Sequence, residues 1–535
     1  VALGARPPGL RRFLLLAAAF FAAFLLTGPW RIAGREIGRT PAVLAVVAVL
    51  GSMAFAVRPG WRAWAREFLS TEDVALSRRG LVIFCLAVAA ALARILLARF
   101  AALEVNAWDF SLYFDRPVES VLHGRLLYSD LLKGSTLGDD ASFAMFAFVP
   151  LYAIFPSPLW LVLAPAVAIA GAAGAAFLLL RATFEDDVAA LLLSAAFVLH
   201  SATARAVQYV FHVEIFYPLA IFLSLWALCR KRPVAFAAGL VLLVSLKEDA
   251  LLPATALALF ALLMRADRRW IAASWLAAAA VFAADYFVVL PRFSASGAGR
   301  PWFSWYWARY GSSPLAAAAG IAGHPLRAAA DVARSGLGNL LEPLLLTPLA
   351  GLEWLAAALP ALVPYAVAQH GKLSRFTLYY SMPVLPFLFI AAGWGLARIA
   401  RRFRKNRIAA FRIGAALVLA ACALDGAGYT LARPRPERSR IRPLLSELSP
   451  DTQAYVQGAL LPHAGYAARF SVLDRDGAVP DGAHAYLLDP DADPYPFAGN
   501  DLRALARTLD ADSRYSRRPA TGALVLYAPS PAPAR

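Results

Sequence analysis

Charge is what this sequence is short of. Of its 535 residues, 16% are charged and 60% are hydrophobic. A soluble chain carries about 25% charged residues. The shortfall excludes an ordinary cytosolic enzyme, a disordered chain and a nucleic-acid-binding domain. Cysteine is scarce as well: Cys85, Cys229 and Cys422 are the only three. Each sits in or at the end of an apolar run, with neither metal-ligand spacing nor a disulfide logic. There is no Walker A loop, no GxSxG elbow and no HExxH. The apolar runs also lack period-2 alternation, which excludes a β-barrel.

What is present is a succession of Ala/Leu/Val/Phe runs between residues 12 and 428. A membrane-spanning helix needs roughly 20 apolar residues, and a helix satisfies its own backbone in lipid. The runs therefore predict an all-α polytopic membrane protein with about twelve transmembrane helices. Lys and Arg number 52 against 35 Asp and Glu, a net charge of +17. The basic residues cluster between runs, as the positive-inside rule expects. No basic face with interleaved aromatics points to nucleic acid.

Phe13–Leu26 reads as an uncleaved first span with a cytoplasmic N-terminus, since no small-residue cleavage site follows. A second run covers about 41–57, and a third, about 81–103, exits on the outer side. Residues 104–140 form a long acidic outer loop. Spans follow near 141–156, 158–180, 187–204 and 211–229. The stretch 234–264, interrupted by Lys247-Glu248-Asp249, predicts two short helices meeting near the outer surface. Residues 270–291 span again, before an aromatic-rich loop over 292–336 suited to the interface. Prolines break 337–368 into two short helices, and spans at about 378–399 and 408–428 complete the set. The membrane domain is taken as 1–431. The remainder, 432–535, alternates short apolar runs with a polar helix pattern near 500–510, which predicts a small soluble α/β domain on the outer face.

Charged residues against spans cost about 2.5–3.5 kcal/mol each on insertion scales, so they mark where chemistry would sit. Trp108–Asp115 begins where the third span leaves the bilayer. Asp109 or Asp115, partly desolvated there, would suit a general base. Six residues apart, they lie on different faces of a continuous helix, and only a break lets them converge. The plain alternative is a polar loop with capping aspartates. In Lys247-Glu248-Asp249 the lysine suits a phosphate and the acids suit orienting it; the alternative is a self-neutralising helix end. His212 and Glu214 open another span. With Asp109 they would make a conceivable divalent metal site, although no spacing selects it. His370, Lys372 and Arg375 stand at an outer helix start, where the two cations suit an anionic headgroup or simple interfacial anchoring. Asp489-Pro490-Asp491-Ala492-Asp493 has alternate acids, but Pro494 and Asn500 stand where a calcium loop needs Gly and an acid. It reads as a solvated turn.

These stretches resemble the bacterial multi-span proteins of domain-of-unknown-function family 2079. The resembling pieces are Trp108–Asp115 followed by His123-Gly124, Val149–Ser157, Phe211–Glu214, Leu246–Asp249 and His370–Pro383. The likeness runs from about 105 to 400. The tail is similar around Leu461-Pro462-His463 and Ala485–Asp489. One departure stands out: where the family pattern has His-Phe-Ser-Pro, this chain reads Asp140-Ala141-Ser142-Phe143.

That family in turn looks like GT-C glycosyltransferases, which take a sugar from a polyprenyl phosphate at the outer face of a membrane. The resemblance implies Asp109, then Asp115, as catalytic base or metal ligand. It implies Lys247, Lys372 and Arg375 on the donor phosphate, with His212, Glu214, Glu248, Asp249 and His370 in support. The expected partners are a lipid-linked donor and membrane lipids, in a bacterial inner membrane. The rival readings are a transporter or flippase of a lipid-linked or anionic solute, and a non-catalytic scaffold.

Overall fold

The computed structural model describes residues 78–530 apart from 106, 131, 295–305 and 426–427, and the strands Trp30–Ile32 and Arg35–Ile37. The side chains of 404 and 405 are likewise outside the description. The two N-terminal runs expected near 13–26 and 41–57 fall outside the described residues, as does part of the aromatic-rich loop, 295–305.

The chain is mostly helical. Among the described residues, four helices are long and apolar enough to cross a membrane: Arg78–Ala101, Leu159–Phe184, Arg268–Phe293 and Arg407–Leu424. Two bent pairs, Asp187–Leu199 with Ser201–Gln208 and Thr347–Ala357 with Leu359–Ala366, raise this to six if each is one span. The figure of about twelve counts shorter apolar helices such as Phe143–Ile154, Val213–Cys229 and Pro233–Leu246 as crossings. Each falls short of the roughly 20 apolar residues a straight crossing takes.

The breaks have local causes. His200 bends the first pair by accepting from the Ala202 N–H at 3.1 Å, while its Nε2 meets the Leu340 carbonyl at 3.2 Å. Pro233–Leu246 ends at Lys247, whose backbone is extended, and Leu251–Leu263 resumes after a single turn. This matches the two short helices expected over 234–264. Leu385–Ala400 is pressed against Thr347–Gly351, where a Cβ at Gly395 would overlap the Thr347 carbonyl. Asp186 caps Asp187–Leu199 and pairs with the buried Arg412 at 2.9 Å, tying in Arg407–Leu424.

Both polar loops carry structure. Residues 107–121 form one helical run whose middle, Phe110–Asp115, is a π-helix. Tyr128–Ser129 pairs with Gly134–Ser135. The 292–336 loop contains two helices, Pro314–Gly323 and Pro325–Arg334.

The tail forms a five-stranded sheet in the spatial order Phe470–Val472, Ala454–Val456, Ala485–Leu488, Val525–Pro529, Tyr515–Pro519. The first three strands run parallel and the last two pair antiparallel. Side chains alternate across it. Tyr486, Leu488, Val525 and Tyr527 pack on helix Gly499–Ala511 through Leu502, Leu505 and Leu509. Ala485, Leu487, Leu526 and Ala528 face the opposite way, in one cluster with Leu103, Ala107 and Leu112. The second face of the sheet is therefore covered by the segment that follows Arg78–Ala101 together with Ile441, Leu444 and Leu445.

Candidate functional site

The helix Arg78–Ala101 is 24 residues long, about 36 Å at 1.5 Å per residue, which is enough for a core of about 30 Å. Arg99 in its last turn pairs with Glu104 at 3.1 Å, a placement the helix dipole favours. Leu103, at φ 62, ends the helix in the left-handed region. The chain restarts at Ala107, so Asp109 sits two residues into a new helix just past the span.

Asp109 is half-buried and accepts a hydrogen bond from the Tyr209 hydroxyl. Burial is the main influence on its carboxyl and pushes its pKa up; His212 and Lys372 pull it down, while Asp140 and Glu214 push it up further. Those four side chains mark what surrounds it. His212 bonds Glu214 through Nδ1. Its ring lies flat on Tyr379, with centroids 3.6 Å apart at 10°. Phe114 meets the His212 ring edge-on at 4.9 Å.

Lys247 lies between two carboxylates, 3.1 Å from Asp140 Oδ1 and 3.2 Å from Glu214 Oε1. The neighbouring acids tether other elements. Glu248 accepts from the Ala141 N–H at 3.2 Å. Asp249 accepts from the hydroxyls of Tyr217 at 2.7 Å and Tyr365 at 2.5 Å. Each residue of the triplet thus holds a different segment at the helix break.

His370 begins the turn Gly371–Ser374, and its ring is 5.0 Å from Tyr306. Lys372 and Arg375 are exposed on this turn and form no ion pair with any described residue. The turn is fixed from behind, where the Gly336 N–H donates to the Ser374 carbonyl at 2.8 Å. Val210 at φ 77, Phe376 at φ 51 and Leu378 at φ 55 occupy the left-handed region. That conformation is costly for a β-branched residue such as valine. Such strain gathers at functional sites, and here it falls beside Tyr209, His212 and Tyr379.

Asp115 has different partners. It is 3% exposed, and its Oδ1 accepts from Tyr152 and from Tyr466, each at 2.7 Å. Burial pushes its pKa up to about 6, against the two hydroxyls and Arg116. Asp109 and Asp115 share one helical run, so they point to different neighbours, as their six-residue separation requires. Asp489, in the acidic run of the tail, is buried against Arg435 at 2.9 Å rather than solvated. The expectation of a solvated turn fails there because the Arg435 guanidinium compensates the buried charge.

Among the described residues, no group of three or more His, Cys, Asp or Glu side chains is arranged to hold a metal ion. Glu214 already uses one oxygen on His212 and the other on Lys247, so a set of Asp109, His212 and Glu214 does not assemble.

The structure therefore links His212, Glu214, Lys247 and Asp140 by direct contacts, with Asp109 on Tyr209 and under the electrostatic influence of His212 and Lys372, and with Glu248 and Asp249 bracing the break. Sequence reasoning passed over Asp140, Tyr209 and Tyr379 as partners. The signals for them were slight: Asp140 opens the stretch that departs from the family pattern, Tyr209 stands three residues before His212, and Tyr379 follows the Lys372–Arg375 turn.

In comparisons with known proteins, no curated protein matches. Two solved structures are similar in fold: ArnT from Cupriavidus metallidurans bound to undecaprenyl phosphate, and the same protein in the apo state. Both are 14% identical, covering 84% of this chain and 98% of theirs, with TM-scores of 0.47 and 0.46. Residues 99–449, well over half of the chain and including every residue of the cluster, match the family described as "Predicted membrane protein (DUF2079)", and the chain belongs to that family.

Proposed function

We propose that the chain is a GT-C-like glycosyltransferase. It moves a sugar from a polyprenyl-phosphate donor to an acceptor hydroxyl at the outer face of a bacterial inner membrane. The observation that carries this reading is Asp109: a half-buried carboxylate at the exit of a span, held by Tyr209, with the exposed cation Lys372 near enough to act on it. A lipid-linked donor brings its phosphate to that depth. An acceptor hydroxyl there needs a base, and a partly desolvated aspartate supplies one.

The acceptor O–H gives its proton to the Asp109 carboxylate. The acceptor oxygen bonds to the anomeric carbon, and the bond from that carbon to the phosphate oxygen breaks. The electron pair leaves on the polyprenyl phosphate, whose charge needs cations rather than an acid. Lys372 and Arg375 are suited to this because no carboxylate among the described residues holds them. Lys247, although expected on the phosphate, has its charge matched by Asp140 and Glu214. We assign it to organising the site and Asp115 to mounting it.

The break at Lys247–Ala250 between short helices also suits a transporter. Proteoliposomes given a labelled polyprenyl-phosphate sugar separate the two. Appearance of free polyprenyl phosphate supports the transferase. Movement of intact donor between leaflets, without cleavage, favours the flippase and refutes the transferase.

A further inference from the structure

The segment carrying Asp109 is gripped on two sides. On one side Phe114 packs on Phe211 at 5.0 Å and on His212, and Asp109 meets Tyr209. On the other side the contacts run to the C-terminal region from Arg435 onward, besides the Arg116–Asp130 pair at 3.8 Å and the Tyr152 hydroxyl on Asp115. Arg116 donates to two carbonyls of one loop, Phe470 at 2.8 Å and Gly465 at 3.1 Å. Asp115 takes the Tyr466 hydroxyl at 2.7 Å. Trp108, next to Asp109, meets the Tyr495 ring edge-on at 6.1 Å. Leu103, Ala107 and Leu112 share a buried cluster with Ile441, Leu444 and Leu460. Just upstream, Phe100 lies 4.1 Å from the His463 ring, and the Arg435 N–H donates to the Ala101 carbonyl at 2.9 Å.

These contacts span Phe100 to Arg116, and Asp109 lies between the apolar grip at Trp108 and the polar grip at Asp115–Arg116. A shift of about 1 Å in a reacting group can cost on the order of a hundredfold in rate. What fixes this segment therefore bears on the chemistry. The residues that match the family end at 449, before the first strand of the sheet at Ala454.

We propose that the C-terminal sheet region is the mount that sets the position of Asp109, with Tyr466 and Arg116 as positioning residues acting through the Ala107–Arg116 segment. Tyr152 completes the latch from the membrane side, since its hydroxyl shares Asp115 Oδ1 with Tyr466. The catalytic consequence rests on Asp109 being the base; the mechanical claim does not.

Hydrogen exchange on the full chain in lipid nanodiscs tests it without reference to transfer. Tyr466→Phe and Arg116→Gln are each expected to speed exchange across 103–116 at least tenfold. The sheet peptides over 485–488 and 525–529 should keep wild-type exchange. Asp115→Asn keeps an acceptor oxygen for both hydroxyls and should stay within threefold of wild type, whereas Asp115→Ala should behave like Tyr466→Phe. In the transfer assay Tyr466→Phe should lower kcat at unchanged donor KM.

Unchanged exchange over 103–116 in both Tyr466→Phe and Arg116→Gln overturns the proposal. So does an equal rise in the sheet peptides, which would mean that the tail has melted. Asp115→Asn behaving like Asp115→Ala overturns the latch. Failure of transfer with the exchange pattern intact removes the function proposed above and leaves the mount standing.

Discussion

Replacing Lys247 by methionine should damage the fold before it damages any chemistry. The ammonium is 15% exposed, between Asp140 at 16% and Glu214 at 3%, with N–O distances of 3.1 and 3.2 Å. Each contact is worth about 5 kcal/mol of gross attraction at an effective dielectric near 20, most of it offset by the cost of taking the charges out of water. Removing one partner of a buried pair leaves that cost unmatched and typically loses about 3–5 kcal/mol. Glu214 retains His212, so Asp140 should carry much of the loss. Lys247→Met is therefore expected to destabilise by about 3 kcal/mol or more, and adding Asp140→Asn should recover at least about 1 kcal/mol. The assay is denaturant titration of the full chain in one detergent, with the single and double variants compared. A cost of Lys247→Met below about 0.5 kcal/mol, or no recovery in the double variant, refutes the reasoning. The same logic warns that inactivity of Lys247→Ala would not by itself identify a phosphate contact.

Lys372→Ala and Arg375→Ala, both on an exposed turn, should change stability by less than about 0.5 kcal/mol yet raise the donor KM at least tenfold in a transfer assay. Gly336→Ala places a Cβ against the Arg375 carbonyl. It should displace that turn and raise the donor KM as well, read in the same assay. Asp115 has its pKa raised from 3.8 to about 6 by burial, so the folded state binds more protons between those values. Its contribution is then fully present below about pH 4 and is lost as pH rises through 6. At about 1.4 kcal/mol per tenfold change in acidity, that loss is about 3 kcal/mol. Asp115→Asn should flatten the fall in stability between pH 4 and 7, seen in denaturation midpoints against pH.

Long apolar runs announced the membrane helices because burial in lipid leaves a compositional mark whatever the neighbours are. The helix break at Lys247 was readable for the same reason: three charges inside an apolar stretch must be partnered or exposed. The strands at Ala454–Val456 and Ala485–Leu488 showed as short apolar runs. Pairing is different. That Lys247 meets Asp140 and Glu214, 107 and 33 residues away, depends on how three segments pack, and no local pattern encodes it. Asp109 stood out by its place after a span. Its partner Tyr209, 100 residues on, did not, since a tyrosine in an apolar run looks like core. Asp115 stood second to Asp109 as a candidate for the same role, because both follow the same span. The hydroxyls of Tyr152 and Tyr466, 37 and 351 residues away, separate their roles.

The most direct measurement is release of polyprenyl phosphate from a panel of labelled polyprenyl-phosphate sugars by the purified full chain, compared with Asp109→Asn at matched folding. The leaving group is common to every acceptor, water included, so the acceptor need not be known. The expected result is release from at least one donor. The rate should rise with pH as the Asp109 carboxyl ionises above its ordinary range, and fall at least a hundredfold in Asp109→Asn. Release that survives Asp109→Asn unchanged, or that does not rise with pH, would contradict the assignment of Asp109 as the base.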